Sequence, residues 1–305
     1  MTGTFIAGDW GTTRLRLALC RDGEVIDRAE GLGVAQTQDP AAAFAAATAG
    51  WGEHGKVPAI LCGMVGSTLG WVETPYLDCP VDVDRLAAAL VRFDSDGRQI
   101  AIAPGLACEN MLGAPDVMRG EETQILGAVA LSPDRDVGRH LFCLPGTHNK
   151  WALVDAGRVE RFHTTLTGEL FACLRDHSVL GRDTAGTTPG VDDAFALGLD
   201  RAFDPRRPAL GHLLFEARSR RLRDGMAADQ ALSFLSGLTI GADVAGMLDL
   251  LPAPGPVIVV GAPVLCKGYA AALAHAGVDA ISVDGDAAAL AGIGALAAAA
   301  GLLGE

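Results

Sequence analysis

A carboxylate, a glycine and two hydroxyls stand together near the start of the chain, in Phe5-Ile6-Ala7-Gly8-Asp9-Trp10-Gly11-Thr12-Thr13-Arg14-Leu15-Arg16-Leu17-Ala18-Leu19. An apolar run delivers Asp9 to its end, and Gly11-Thr12-Thr13 forms a small-residue turn. Apolar residues at 15, 17 and 19 then alternate with the period of a half-buried strand. Backbone N–H groups and hydroxyls beside an acid suit phosphate oxygens and the water shell of Mg²⁺. They equally suit a hairpin with a polar tip, so the rest of the chain must decide.

Three further segments carry chemistry. Val57 to Cys62 reads as a buried strand ending in Gly63-Met64-Val65-Gly66-Ser67, either a ligand-contacting loop or a tight turn. Met118-Arg119-Gly120-Glu121-Glu122-Thr123-Gln124 opens a helix. Acids there complement the helix dipole, while Arg119-Gly120 would let a guanidinium and a backbone approach an anion. Pro145-Gly146-Thr147-His148-Asn149 then turns between the strands His140–Leu144 and Lys150–Val154. With Arg158–Phe162 as a third strand, this repeats the opening, where Glu24–Arg28 is the third. Two strand–Gly-Thr turn–strand–Gly turn–strand units predict a duplicated domain whose two loops clasp a phosphate chain.

The elements that position these residues read as α/β. A helix is expected over 40–50 and another over 84–93, with a strand at 100–103. Helices follow over 167–174, 192–199, 208–223 and 227–251, a strand at 256–260, a helix at 268–276 and a strand at 280–283. Thr167 or Gly168 could cap the first of these. The segment 180–208, rich in Gly, Pro, Asp and Thr, reads as a surface excursion. Gly261 ends a strand before a helix, the arrangement of an adenosine site at a sheet edge. No GxGxxG opens the chain and no GxxxxGK[ST] occurs, which argues against dinucleotide-binding and P-loop folds.

Length allows one large or two medium domains. Half of the 305 residues are hydrophobic and the net charge is −13, which argues against nucleic-acid or anionic-membrane partners. A phosphorylated ligand must then be met by local cations or a metal. Only Lys56, Lys150 and Lys267 are lysines, against 21 arginines. Seven cysteines without metal spacing predict buried free thiols in a reducing compartment. No basic stretch precedes an apolar one at the start, so a cytoplasmic protein is expected. Ala287–Leu303 is apolar but short and Ala-rich, and reads as a packed helix rather than a membrane span.

Taken in order, Asp9-Trp10-Gly11-Thr12-Thr13, Gly63-Met64-Val65-Gly66-Ser67, Met118–Gln124, Leu144-Pro145-Gly146-Thr147-His148-Asn149-Lys150-Trp151, Thr167-Gly168-Glu169-Leu170 and Phe234-Leu235-Ser236-Gly237-Leu238 resemble the 2-dehydro-3-deoxygalactonokinase family. The resemblance covers residues 5 to about 295. It implies the sugar kinase/Hsp70/actin superfamily, with two RNase H-like (actin-like ATPase) domains, here 1–130 and 131–305, closing over a nucleotide in the cleft. The last helix, 287–303, is expected back on the first domain. The implied reaction, in galactonate catabolism, is ATP plus 2-dehydro-3-deoxy-D-galactonate giving the 6-phosphate and ADP. A same-fold kinase for another sugar acid, or a non-catalytic ATP-dependent sugar sensor, is the alternative. Monomer and homodimer both remain open.

The same resemblance assigns roles. Asp9 holds Mg²⁺ through water, with Gly11, Thr12 and Thr13 at the β/γ-phosphates. Gly146 and Thr147 form the second phosphate loop, with His148 and Lys150 on its exit strand. Gly261, Gly237 and Gly292 fall to the nucleoside side. The catalytic base of relatives is an aspartate at a helix start. This chain has Glu121 and Glu122 there, with Glu122 favoured. Gly63 to Ser67, Arg119, Gly120 and Thr165 are the candidates for the acceptor's carboxylate. Arg14, Arg16 and Lys150 compete to balance phosphate charge, and Lys267 either touches the nucleotide or is solvated.

Overall fold

The computed structural model describes residues 3–184, 186–206 and 208–302. The chain divides into two compact units: Met1–Arg139 with Leu153–Phe162 and Gly285–Glu305, and His140–Ala152 with His163–Asp284.

The first unit opens with the meander β1 (Thr4–Trp10), β2 (Arg14–Arg21) and β3 (Glu24–Leu32), followed by α1 (Pro40–Thr48) and β4 (Ala59–Cys62). Next come β5 (Tyr76–Asp78), α2 (Val83–Ala88), β6 (Val91–Ser95), β7 (Arg98–Ile102), β8 (Gly105–Glu109), β9 (Pro115–Met118) and α3 (Glu121–Ala130). The main sheet runs β3-β2-β1-β4-β7-β6, with β1 antiparallel to β2 and parallel to β4. Ile6, Trp10, Leu15, Leu17 and Leu19 face one core with Phe44 and Trp51. Ala18 and Cys20 are buried as well, because a helix covers the other face of β2.

The second half of the chain repeats the opening with β10 (Arg139–Leu144), β11 (Asn149–Asp155) and β12 (Arg158–Thr165), of which Arg139 and Leu153–Phe162 cluster with the first unit. It continues through α4 (Thr167–His177), α5 (Asp193–Phe203), α6 (Glu216–Arg223), α7 (Ala228–Leu250), β13 (Val257–Gly261), α8 (Pro263–His275) and β14 (Ala280–Asp284). Its sheet runs β12-β11-β10-β13-β14, the same order as the first five strands of the other sheet. The turns after β2 and β11 also match. Asp22 and Gly23, like Ala156 and Gly157, both have positive φ, the backbone of a tight hairpin turn. The helix α9 (Gly285–Ala299) closes the chain in the first unit; residue 303 of the expected 287–303 helix lies outside the described residues.

Several expectations change. The helix expected over 84–93 stops at Ala88, and 91–95 forms β6, antiparallel to β7. Asp96 and Gly97, both at positive φ, turn that hairpin. The short strands β5, β8 and β9 form a third sheet that the pattern did not reveal. The helix expected over 208–223 begins at Glu216, and α8 starts at Pro263, its proline suiting the first helical turn. In the excursion 180–208, α5 extends to Phe203, and residues 185 and 207 lie outside the described residues. Among the described residues, α7 alone is long and apolar enough to cross a membrane, but 67% of its apolar stretch is buried within the protein, as in a core helix.

α3 and α9 meet through glycines. A Cβ on Gly127 would stand 1.8 Å from the Ala288 carbonyl oxygen, and one on Gly292 would stand 2.0 Å from that of Thr123. Gly294 of the same helix faces open space. Gly127→Ala should therefore force the helices apart and destabilise by about 2 kcal/mol, the usual scale of overpacking. Gly294→Ala should instead stabilise slightly, by roughly 0.5 kcal/mol, through helix propensity. Thermal melts of the two variants check the contrast.

Candidate active site

In the first unit three segments converge at the C-terminal ends of β1 and β4. Asp9 ends β1. Gly63 follows β4 at φ 89°, and Gly120 precedes α3 at φ 107°, both in the left-handed region where a side chain is strained. A Cβ on Gly120 would lie 3.2 Å from the Gly63 Cα, and one on Gly63 would lie 3.0 Å from the Trp10 carbonyl oxygen and 3.2 Å from Asp9 Oδ1. The backbones pack without side chains between them, which brings Asp9 and the start of α3 to one place.

Asp9 is 24% exposed, and the Arg16 guanidinium, its cross-strand neighbour, lies 3.3 Å from Oδ2 and 3.6 Å from Asp286. Burial pushes the Asp9 carboxyl up and Arg16 pulls it back, while Asp286 and Glu121 oppose its charge. The Gly11 and Thr12 carbonyls accept from Val34 and Ala35 N–H at 3.1 Å. The turn is thereby pinned from behind, with the Thr12 and Thr13 side chains exposed.

Glu121 and Glu122 differ in setting. Glu122 is 0% exposed. Its Oε2 accepts the Gly120 N–H at 2.6 Å and its Oε1 accepts the Thr123 hydroxyl at 3.0 Å. Burial, and then the neighbouring Glu121, push its pKa to about 7. Glu121 is partly exposed and accepts the Arg119 N–H at 3.1 Å.

Arg119 is not placed as expected. Its guanidinium donates to the Thr74 hydroxyl, donates to the Thr74 carbonyl at 2.9 Å, and stacks 4.4 Å over Tyr76. The fork expected for an acceptor carboxylate is spent on Thr74, and Arg119 anchors the loop instead. Val65 is fully buried in the core, and Gly66 packs against Thr74 and Arg119, so neither offers a side chain. The Ser67 hydroxyl donates to the Met64 carbonyl at 2.7 Å, and the Met64 side chain packs against the core. What this loop can still present to a ligand is backbone.

In the second unit the turn after β10 has Gly146 half-buried and Thr147 and His148 exposed. A Cβ on Gly168 would lie 2.2 Å from the Gly146 carbonyl oxygen, and the Glu169 N–H donates to the Thr147 carbonyl at 2.9 Å. The start of α4 thus braces the turn. His148 Nε2 and Glu169 Oε2 are 2.6 Å apart. Lys150 is only 4% exposed, and its Nζ donates to the His148 carbonyl at 3.2 Å. A Cβ on Gly261 would lie 3.5 Å from the Pro145 carbonyl oxygen, so the end of β13 adjoins the same turn.

Gly237 and Gly292 do not line an opening. A Cβ on Gly237 would lie 2.1 Å from the Phe195 carbonyl oxygen, at the α5–α7 crossing, and Gly292 belongs to the α3–α9 crossing. Close helix packing explains both glycines. Lys267 lies on α8.

A residue that sequence reasoning passed over organises this unit. Asp243 of α7 accepts from Asn149 Nδ2 at 2.8 Å, Trp151 Nε1 at 2.9 Å, Thr165 Oγ1 at 3.1 Å, Thr167 Oγ1 at 2.8 Å and Tyr269 Oη at 2.7 Å. Thr167, expected as a helix cap, sits in the first turn of α4 with its hydroxyl on Asp243, and Leu166 holds the cap position. Burial and then the Asp243 charge push the Tyr269 hydroxyl well up. No local signal in the sequence marks an acid that gathers five donors from four other elements. Thr165, Thr167 and Asp243 also line a cavity of about 320 Å³ with His163, Thr239 and Met247.

The 2-keto-3-deoxy-galactonokinase family profile matches residues 9–296. The 2-dehydro-3-deoxygalactonokinase of Escherichia coli (strain K12) is 38% identical over 302 residues, covering 97% of this chain and 98% of the relative. A crystal structure from Sinorhizobium meliloti assigned to the same activity superposes with a TM-score of 0.87 at 35% identity, covering 96% of this chain and 98% of that one. At 13% identity, the activator of the 2-hydroxyisocaproyl-CoA dehydratase from Clostridium difficile, solved with bound ADPNP, has a TM-score of 0.52 and covers 97% of this chain and 96% of its own. That likeness shows a shared fold, the two-sheet α/β architecture in which each sheet opens with a meander. With the profile spanning both Gly-Thr turns and most of the chain, the chain belongs to the 2-keto-3-deoxy-galactonokinase family.

Proposed function

We propose that the protein transfers the γ-phosphoryl group of ATP to the 6-hydroxyl of 2-dehydro-3-deoxy-galactonate, releasing ADP and the 6-phosphate. Beyond family membership, one observation carries this reading: Glu121 lies close enough to Asp9 to oppose its charge, and Glu121 and Glu122 open a helix whose preceding Gly120 packs on the Gly63 that adjoins Asp9. Phosphoryl transfer needs a proton acceptor next to the phosphate donors and little other covalent chemistry. In this reading Gly11, Thr12 and Thr13 meet the phosphates from the first unit, and Gly146 and Thr147 meet them from the second, beside Gly261 on the nucleoside side. Arg16 and Lys150 supply cationic balance in a strongly acidic chain. The Gly63-Met64-Val65 backbone offers N–H groups toward the sugar acid, whereas those of Gly66 and Ser67 are donated within the loop, that of Gly120 to Glu122, and the Thr165 hydroxyl to Asp243.

Among the described residues no group of three or more His, Cys, Asp or Glu could hold a metal. A single partly exposed carboxylate next to hydroxyls fits Mg²⁺, which keeps most of its waters and leans on substrate phosphates. Asp9 would hold it through water, and when bound it supplies charge neutralisation at the phosphates.

For the proton, accessibility reorders the two acids. Glu121, partly exposed and close enough to Asp9 to oppose its charge, can meet a hydroxyl as it stands. Glu122 has the pKa suited to a base near neutrality, but both its oxygens are engaged beneath the helix start. We assign Glu121 to the acceptor hydroxyl and Glu122 to holding Gly120 and α3 in place.

ADP release from ATP and Mg²⁺ should depend on 2-dehydro-3-deoxy-galactonate and exceed that with a panel of hexoses and aldonates; ATP hydrolysis indifferent to every sugar acid would sink the proposal. Glu121→Gln should lower kcat by roughly two or more powers of ten with ATP affinity nearly intact. If only Glu122→Gln does so, the roles are reversed.

Glu122 also predicts a pH effect on stability. Its folded pKa of about 7 lies above the unfolded value, so the folded state binds the extra proton between the two. The stability it contributes is full below about pH 4.5 and is lost as pH rises through 7. Glu122→Gln should remove this loss, gaining up to about 3 kcal/mol over wild type on going from pH 4.5 to 8 in denaturant titrations. Asp243→Asn leaves one acceptor oxygen for five donors. It should cost about 3 kcal/mol and, through Asn149 and Thr167 at the second turn, raise KM for ATP while leaving KM for the sugar acid unchanged.

A further inference from the structure

Two thiols away from these carboxylates sit side by side. Cys79 follows β5, and Cys108 lies in β8 of the same three-stranded sheet. The strands run parallel with Asp78 opposite Ala107, and the Cys79 N–H donates to the Ala107 carbonyl at 2.9 Å. One step further along that register places Cys79 beside Cys108 on one face. Neighbouring strands stand about 4.8 Å apart, within the roughly 4.4–6.8 Å between Cα atoms that a disulfide spans. The two side chains are close enough that each thiol is the largest influence on the other's ionisation. Both are partly exposed, whereas Cys20, Cys62, Cys143 and Cys266 are buried and Cys173 is exposed.

The surroundings make the pair unequal. Cys108 Sγ accepts the Phe162 N–H at 3.3 Å, and as a thiol it donates to the Phe162 carbonyl at 3.3 Å. The Cys79 S–H, followed by the Phe162 N–H, favours the Cys108 thiolate against the opposing effect of burial, so its pKa falls. The same sulfur contact, then burial, pushes the Cys79 thiol up. Arg161 lies near Cys108 and Arg85 near Cys79, against Asp116 and Glu160 respectively. Two adjoining thiols of unequal acidity are the arrangement of an attacking and a resolving cysteine.

We propose that Cys79 and Cys108 are an oxidation site that forms a reversible disulfide on reaction with a hydroperoxide. The Cys108 thiolate attacks the outer peroxide oxygen. The O–O bond breaks, the alcohol (or water, from hydrogen peroxide) leaves with a proton, and Cys108 becomes a sulfenic acid. Cys79 gives up its proton and attacks the Cys108 sulfur, the S–O bond breaks, and water leaves. Two thiols are oxidised and one hydroperoxide is reduced, and a dithiol reductant reverses the exchange. The crosslink ties β5, entered from the Thr74 that holds Arg119, to β8, which leads through β9 to the start of α3.

The test is titration of the full chain with hydrogen peroxide, alkylation of the remaining thiols and tryptic mass spectrometry. Two of the seven thiols should be lost together, in a linked pair of peptides carrying Cys79 and Cys108. Arg85, Arg92 and Arg98 separate the two by cleavage, and fragmentation distinguishes Cys79 from Cys62. Dithiothreitol should restore both. Cys79→Ser should stop at a Cys108 sulfenic acid that dimedone captures, and Cys108→Ser should leave Cys79 reduced. Loss of Cys173 alone, or oxidation that leaves both members of the pair open to alkylation, overturns the proposal. The wild-type measurement decides this even if a variant folds poorly.

Discussion

The first unit depends on two peptide backbones touching where side chains would normally keep them apart. Gly63 and Gly120 approach so closely that a Cβ on Gly120 would lie 3.2 Å from the Gly63 Cα, and one on Gly63 would meet the Trp10 carbonyl and Asp9. Any side chain at either position would meet backbone and would also have to adopt a strained φ. Because the contact has no flexible atoms in it, it transmits position. The ends of β1 and β4 and the first turn of α3 form one rigid corner, and Asp9, Glu121 and Glu122 inherit their separation from it. Pre-organisation of this kind suits phosphoryl transfer, where placing charges matters more than making bonds to the protein.

The two units solve the problem of an interior carboxylate differently. Asp243 is surrounded by five donors, so its desolvation is offset by hydrogen bonds, and removing it would orphan every one of them. Glu122 has one N–H and one hydroxyl and sits next to another acid. Burial therefore expresses itself as a raised pKa rather than as a dense network. The first solution gives a tightly tied junction between elements. The second leaves a titratable group at the site, where perturbed groups collect.

What was legible in the sequence follows from the range of the forces involved. The meanders were visible because a period-two pattern and glycine turns are local signals, and both halves displayed them at Gly23 and Gly157. The strands β5, β8 and β9 were not, because they are three to five residues long and gain their stability from pairing rather than from pattern. The tract 91–95 continued the apolar run of α2, and only the Asp96-Gly97 turn argued for a hairpin. Arg119 was identified as a cation beside a glycine, but its partner Thr74 is distant in sequence, so its anchoring role could not be read. Asp243 is the same case in stronger form: its donors run from Asn149 to Tyr269, and no window contains them. Gly237 and Gly292 misled for a related reason, since a glycine needed for helix packing and one needed for a ligand look alike in a sequence.

The duplication itself shows where the chemistry diverged. Both meanders share strand order and the positive-φ turn after the second strand, and both place a Gly-Thr pair after the first. In the first unit the residue two before that glycine is Asp9, facing Arg16 across the strand pair; in the second it is Leu144, buried and apolar. The exit strand of the second turn begins instead with Asn149 and Lys150, one tied to Asp243 and the other folded back on the His148 carbonyl. A scaffold that presents backbone N–H groups and hydroxyls serves an anion in either copy. In the proposed reaction, the added carboxylates of the first copy make that copy the one that takes the proton.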